Sequence, residues 1–301
     1  MGCSGAQAAG VAALPVLGFA DDATPGPGLR KAGPMATTLD VMTFNLRTPV
    51  RTAQPGDPDH WPTRLVATVE LLRQRRPAVV GTQEGCDPQW ERLLPALPHY
   101  QRLGSGRELG HRGEYSAILV DTALLEVDGW QQFTLSETPD ELGSRSWDSA
   151  CTRVAVVADL VVRATGDRFT VANTHLDHAS ERARVEGARL LRSRIGRRAT
   201  VVTGDFNSRA GVARAWHESI EDGFVDTWLA SHPDGASIDT FNGYREPGVG
   251  GDEPGRIDWI LATPDIAVAS SEIITDRPRL GEHRRVWPSD HWPVVATLRV
   301  G

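Results

Sequence analysis

The sequence predicts a mixed α/β domain over residues 37–301, with strands at the core and helices outside. Three observations predict it. Short, β-branched apolar runs recur along the chain, and several end on a polar residue. Two stretches, 61–76 and 179–195, carry apolar stripes at helical spacing. Successive strands are joined by helices in some places and by a hairpin signal, Ala164-Thr-Gly-Asp167, in another, so a simple parallel α/β sheet fits poorly.

Taken in order, Asp40–Leu46 alternates as a strand and brings Asn45 to its end. Residues 61–76 form a helix with apolar positions at Leu65, Val66, Val69 and Leu72. Pro62 sits in the tolerated first turn and Pro77 acts as the stop. Ala78–Glu84 is a buried strand ending on a carboxylate, and a short helix follows over 88–97. Gly104–Gly113 reads as a polar, Gly-rich loop, and Tyr115–Val120 and Leu125–Phe133 as strands. Ser136–Ser149 is a loop carrying Trp147 and Asp148. Arg153–Val162 and Arg168–Asn173 are paired strands, the second running into His175 and Asp177. Residues 179–195 are the clearest helix, with Ala183, Val185, Ala188, Leu191 and Ile195 on one face and solvated arginines on the other.

Thr200–Ser208 is the most informative stretch. Thr200–Thr203 is a buried strand and Gly204 breaks the pattern. Asp205 and Asn207 are two apart, so in extended chain they emerge on the same side. Such a pair suits a hydrated divalent cation, or a water beside a phosphate; the same residue types also make ordinary turns. A helix over 209–219, a loop over 231–255, a strand Arg256–Leu261 carrying Asp258, and a final strand Pro293–Val300 preceded by Asp290 and His291 complete the chain.

Acidic residues number 39 against 32 basic, a net charge of -7, which disfavours sequence-blind binding of long nucleic acid on a basic face. Lys31 is the only lysine. Arginine suits bidentate phosphate contacts, although a GC-rich coding sequence produces the same bias. None of Cys3, Cys86 and Cys151 has metal-ligand spacing; Cys86 and Cys151 are either one disulfide of an exported protein or two buried thiols. Trp61, Trp147 and Trp292 are stacking candidates for a base or sugar as well as core candidates.

Residues 1–36 differ from the rest. Ala6–Ala20 is small and apolar, and Asp21–Pro34 is rich in Pro, Gly and Asp, the pattern of a signal-like segment and flexible linker. No basic residue precedes Arg30, so the positive n-region is missing, and a disordered tail is the competing reading. The expected location is secreted or cell-envelope, with the cytoplasm left open. The apolar run is too short and too Gly/Ala-rich for stable membrane insertion.

Six strand ends thus carry polar groups: Asn45, Glu84, His175, Asp205 with Asn207, Asp258, and Asp290 with His291. Carboxylates, carboxamides and two histidines, without a nucleophilic Ser or Cys in a convincing setting, suit a hard cation and an activated water. The motifs Thr43-Phe-Asn-Leu46, Gly81-Thr-Gln-Glu84, Asn173-Thr-His-Leu176, Gly204-Asp-Phe-Asn207, Arg256-Ile-Asp258 and Pro288-Ser-Asp-His291, in that order, resemble the endonuclease/exonuclease/phosphatase family, the DNase I-like fold. Leu135-Ser-Glu-Thr-Pro139 and the Trp147-Asp148 loop resemble its bacterial, often exported branch. Phe133-Thr134 departs from the Phe-Trp expected there.

The resemblance implies a two-sheet α/β sandwich with flanking helices, and phosphoester hydrolysis with Mg²⁺ or Mn²⁺. It implies that Glu84 binds the metal with Asn45 and Asp290 close by. Asp205 would orient or deprotonate the attacking water, and Asn207 would hold that water or a phosphate oxygen. His291, oriented by Asp258, would contact phosphate or move a proton, and His175 would steady developing charge. Arg153 is a further phosphate-binding candidate. The expected partner is a phosphorylated small molecule or a short single-stranded nucleic acid, and the expected state a monomer. A non-specific nuclease is the alternative of like chemistry. A catalytically silent binding module is the alternative of another class, which loss of Glu84 or Asp205 would have signalled.

Overall fold

The computed structural model describes residues 36–196, 198–248, 255–281 and 284–301; the signal-like segment and part of the 231–255 loop lie outside them. In chain order the elements begin with β1 (Thr37–Asn45), α1 (Trp61–Arg75), β2 (Val79–Gln83) and α2 (Asp87–Ala96). Next come β3 (Tyr100–Leu103), β4 (Gly106–Glu108), β5 (Arg112–Tyr115), β6 (Ile118–Asp121), β7 (Leu125–Thr134) and β8 (Val154–Val162). Then follow β9 (Arg168–His175), α3 (Glu181–Ile195), β10 (Thr200–Asp205), α4 (Arg214–Ile220), β11 (Val225–Asp226) and α5 (Thr227–Ser231). The chain closes with β12 (Asp258–Ala262), β13 (Ala267–Ile273), β14 (Arg279–Leu280), β15 (Arg284–Arg285) and β16 (Val294–Val300).

Two six-stranded sheets form the core, in the orders β13-β16-β1-β2-β6-β3 and β11-β12-β10-β9-β8-β7. Each contains one parallel pair. β1 and β2 are joined by α1, and β9 and β10 by α3. Their other pairings are antiparallel, which is why the alternation of strands and helices is only partial. Period-two alternation sorts the apolar residues. Val41, Val79, Val171 and Val201 point between the sheets, while Met42 and Val80 meet α1 and α2, and Ala172 and Val202 meet α3 and α4. Both faces of the central strands are therefore buried, so they read as continuous apolar runs.

Local chemistry sets the helix limits. Ser180 Oγ accepts the Ala183 N–H at the start of α3. Pro62 occupies the first turn of α1, which ends at Arg76 in left-handed conformation before Pro77. Val66, counted in the stripe of α1, is instead 49% exposed: Leu65, Val69 and Leu72 define the buried stripe, and one step along the helix turns a side chain about 100° away from it. The predicted helix over 209–219 is only the two turns of α4.

The predicted Gly104–Gly113 loop contains most of a hairpin, β4–β5, and the predicted Tyr115–Val120 strand is divided, Tyr115 closing β5 and β6 starting at Ile118. Glycine and charge dominate the hairpin sequence, so no alternation marks it. Cys86 and Cys151 are free, half-buried thiols. Trp61 and Trp292 are core residues at 6% and 2% exposure, and Trp147 is half-buried.

Polar residues stitch the sheets together near one end. Gln83 Nε2 donates to Asn173 Oδ1 at 2.8 Å and to Thr43 Oγ1 at 3.1 Å, and Asn173 Nδ2 donates to the carbonyl oxygens of Thr82 and Ala117. Gly81 lets the sheets approach there: a Cβ on it would lie 2.0 Å from Thr203 Oγ1. Among the described residues, no helix is long and apolar enough to cross a membrane.

Candidate active site

The topology gathers the motif residues at one edge. Asn45, His175 and Asp205 end the parallel strands β1, β9 and β10, and Glu84 directly follows β2. Asp258 begins β12, and Asp290 and His291 lie just before β16, with Trp292 and Pro293 between; both are antiparallel strands whose starts meet those ends. Asp205 stands opposite both His175 and Asp258 in the sheet. Backbone conformation aims several side chains. Glu84 and Asn207 have φ of 63° and 47°, and Arg47, just past β1, has 52°, a left-handed cluster of non-glycine residues at one site.

Asn45 lies at the centre. Its Nδ2 donates to Glu84 Oε1 at 2.9 Å and to Asp205 Oδ2 at 3.0 Å, while its Oδ1 accepts the Arg47 N–H at 2.8 Å. Its carbonyl oxygen is thus engaged, and the carboxamide bridges the two carboxylates. Glu84 Oε2 accepts the Thr48 N–H at 2.9 Å. Burial opposes the Glu84 charge, but that N–H, the positive His291 and the Asn45 amide outweigh it and hold the carboxyl below its ordinary range.

Asp205 is pushed up to about 7, first by burial and then by the Asp258 charge, against the pull of His291 and the Asn207 N–H on its Oδ1 at 2.9 Å. His291 Nδ1 donates to Asp258 Oδ2 at 2.9 Å, and its Nε2 lies 3.8 Å from Asp205 Oδ2. Burial works against an imidazolium, but Asp258 and Asp205 outweigh it and push His291 up to about 10. His175 moves the other way, driven well down by burial and by the positive Arg153 and Arg107. It is a neutral ring whose Nε2 accepts from Asn207 Nδ2 at 2.9 Å, which leaves the proton on Nδ1.

These residues line a cavity of about 380 Å³ whose lining mixes carboxylates and cations: Glu84, Glu114, Asp205 and Asp290 with Arg47, Arg107, Arg153 and His291. His175 and His178 line it too, and His175 Nε2 lies 3.5 Å from Asp205 Oδ2. The donor atoms of Glu84, Asp205 and His291 lie within 4.8 Å of one another. Hard carboxylate oxygens at this spacing, with Asp205 and Asp290 both raised by burial, fit a divalent cation, whose charge would relieve the crowding. Glu84 and Asp205 supply the carboxylate oxygens of that group, and Asp290, which lines the same cavity, lies 3.5 Å from Arg47.

The structure brings together Asn45, Glu84, His175, Asp205, Asn207, Asp258, Asp290 and His291, with Arg153 lining the same cavity. Sequence reasoning missed Arg47, which links Asp290 at 3.5 Å to Asp59 at 3.1 Å, and Tyr244, whose hydroxyl donates to Asp59. It also missed Arg107 and Glu114 of the hairpin and Phe241 of the long loop. Asp177, noted in the sequence beside His175, braces the loops next to Arg153 by accepting the N–H groups of Ala150, Ala179 and Ser180 and the Ser149 hydroxyl.

The sequence profile of the Endonuclease/Exonuclease/phosphatase family matches residues 42–291. The chain belongs to this family. Among solved structures, an endonuclease/exonuclease/phosphatase from Bacteroides vulgatus is 30% identical, with a TM-score of 0.78 over 88% of this chain and 100% of that one. A mannosyl-6-phosphatase of Bacteroides thetaiotaomicron VPI-5482 is 29% identical, with a TM-score of 0.77 over 86% and 99%. D. rerio TDP2 complexed with single strand DNA product is 16% identical, with a TM-score of 0.69 over 87% and 99%, a likeness of fold. A search of curated protein sequences gives no match. Membership accounts for the two-sheet sandwich and for a phosphoester-hydrolase fold with its acidic and histidine groups at one sheet edge.

Proposed function

We propose that this family member is a divalent-metal-dependent phosphatase of small phosphorylated substrates. The observation that carries the reading is the mixed lining of the cavity. Carboxylates suited to a cation share it with Arg153 and neutral His175, and about 380 Å³ leaves room for a small molecule. The relative whose name is mannosyl-6-phosphatase supports the same size of substrate.

A cation held by Glu84, with Asp290 lining the same cavity, would polarise the phosphoryl group and neutralise charge as it develops. Asp205 accepts a proton from the attacking water, and the Asn207 N–H holds its Oδ1 in place. His291, kept protonated by Asp258, presents Nε2 to a phosphoryl oxygen or to the departing oxygen. Asn207 and His175 stand beside Asp205, and Arg153, whose Nε and Nη1 have no hydrogen-bond partner among the described residues, offers N–H donors to the cavity they line. Asn45 keeps Glu84 and Asp205 in register.

Hydrolysis of 4-nitrophenyl phosphate and bis(4-nitrophenyl) phosphate, with Mg²⁺, Mn²⁺ or EDTA, tests this. The monoester is turned over with metal, EDTA abolishes turnover, and Asp205→Ala lowers kcat by about 100-fold or more. Faster cleavage of the diester, or turnover that survives EDTA, overturns the reading.

A further inference from the structure

The β4–β5 hairpin hangs over the cavity and brings in two side chains with no part in the hydrolysis just described. Arg107 Nη1 pairs with Glu114 Oε2 at 2.7 Å across the hairpin, and both residues line the cavity. Behind them Arg153, 5% exposed, has its Nε 3.6 Å from Asp177 Oδ2 and its Nη2 3.0 Å from His178 Nδ1. Arg107 Nε, Arg153 Nε and Arg153 Nη1 are buried without a hydrogen-bond partner among the described residues. Buried donors of this kind cost free energy until a ligand engages them.

The chemistry of the wall selects the ligand. Each guanidinium already stands beside a carboxylate, Arg107 beside Glu114 and Arg153 beside Asp177. The wall therefore has little net charge to offer a second anion. It offers donors and acceptors side by side, the arrangement that matches hydroxyl groups, which both donate and accept. Phe241 lines the same cavity, 44% exposed, its ring 5.1 Å from that of His291. It provides an apolar face beside His291.

We infer that Arg107, Glu114 and Phe241 form a specificity subsite for a polyhydroxylated leaving group, so that the substrate is the phosphomonoester of a sugar. Arg107 donates to one hydroxyl, Glu114 accepts from its neighbour, and Phe241 packs on the C–H face of the ring. This rests on the phosphatase reading above and adds the class of leaving group to it.

The test compares kcat/KM for mannose 6-phosphate, adenosine 5′-monophosphate and 4-nitrophenyl phosphate in Mg²⁺, for wild type, Arg107→Met and Glu114→Gln, with circular dichroism confirming folding. Wild type prefers the sugar phosphate, and either variant lowers the ratio of sugar phosphate to 4-nitrophenyl phosphate at least tenfold, chiefly through KM. Glu114→Gln keeps the size of the side chain and covers the case in which Arg107→Met unfolds the hairpin. A ratio that does not change, with monoesters still hydrolysed, overturns the subsite and leaves the phosphatase. A preference for the nucleotide, lost in Phe241→Ala instead, overturns the sugar assignment. Absence of all monoester hydrolysis in wild type overturns the phosphatase reading and this inference with it.

Discussion

Asp258 does not line the cavity, is 1% exposed, and acts through its neighbours: it accepts the His291 Nδ1 hydrogen bond, and its charge also raises Asp205. Its charge heads the forces that keep the buried imidazole protonated up to about pH 10, against the cost of burial. Asp258→Asn keeps the shape and a hydrogen-bond acceptor but removes that charge. The His291 pKa then falls, so the ring loses its proton at lower pH. The expected result is a kcat/KM lower by about 100-fold with an alkaline limb displaced toward neutral pH. A pH–rate profile of the variant measures it, and a limb that stays in place would show that His291 is not the proton carrier. Asp177 has the opposite character. Burial opposes its charge, but the Ser180 and Ala179 N–H groups, the Ser149 hydroxyl and Arg153 outweigh that and hold it down at about 2.

At the scale of elements, the site depends on how closely two sheets approach. Gly81 faces Thr203 and Asn173, and a methyl group there would lie 2.0 Å from Thr203 Oγ1 and 2.5 Å from Asn173 Oδ1. Neither sheet can retreat without breaking the Gln83–Asn173 stitch that holds the ends of β2 and β9 together. Gly81→Ala is expected to lower stability by about 2–3 kcal/mol, the upper part of the range for overpacking. Urea unfolding reads this as a lower midpoint at constant m, and a midpoint like that of wild type would contradict the close approach.

The elements legible in the sequence were those whose signal is local: β1, β2, β9, β10 and β12 with their polar ends, β7, β8 and β16, the short α2, and α1 and α3 with their apolar stripes. The β4–β5 hairpin was not legible, because Gly106, Gly110 and Gly113 serve its turn and its close backbone contacts and leave no alternation to read. Nor was Arg64, fully buried in α1, which donates to the Leu46, Arg47 and Pro288 carbonyl oxygens and so ties both loops that carry site residues. Backbone carbonyls so far apart along the chain have no sequence signature. β13 and the short β11 and β14–β15 went unread because an edge strand is defined by its partner.

Across the whole molecule, the site sets how stability follows pH. The folded Asp205 holds its proton up to about pH 7, while the unfolded carboxyl releases it near 3.8, so stability falls as pH rises through that window. The folded His291 keeps its proton to about 10 against 6.5 when unfolded. Its contribution is complete below pH 6.5 and is lost as pH rises through 10. Both effects act in the same direction, while His175, held neutral in the fold, opposes them only below about pH 6.5, so the EDTA-treated protein loses stability from about pH 7 to 9. The net charge of -7 adds self-repulsion at the alkaline end. A divalent cation competes with the Asp205 proton, so it binds more tightly where that proton has left. Mg²⁺ is therefore expected to raise Tm more at pH 8.5 than at pH 5.5, by about 5 °C if its affinity differs 100-fold between them. Thermal scans at both pH values, with and without Mg²⁺, measure the difference, and Asp205→Asn should largely remove it. An equal shift at both pH values, or no shift at either, would separate the cation from the Asp205 carboxylate.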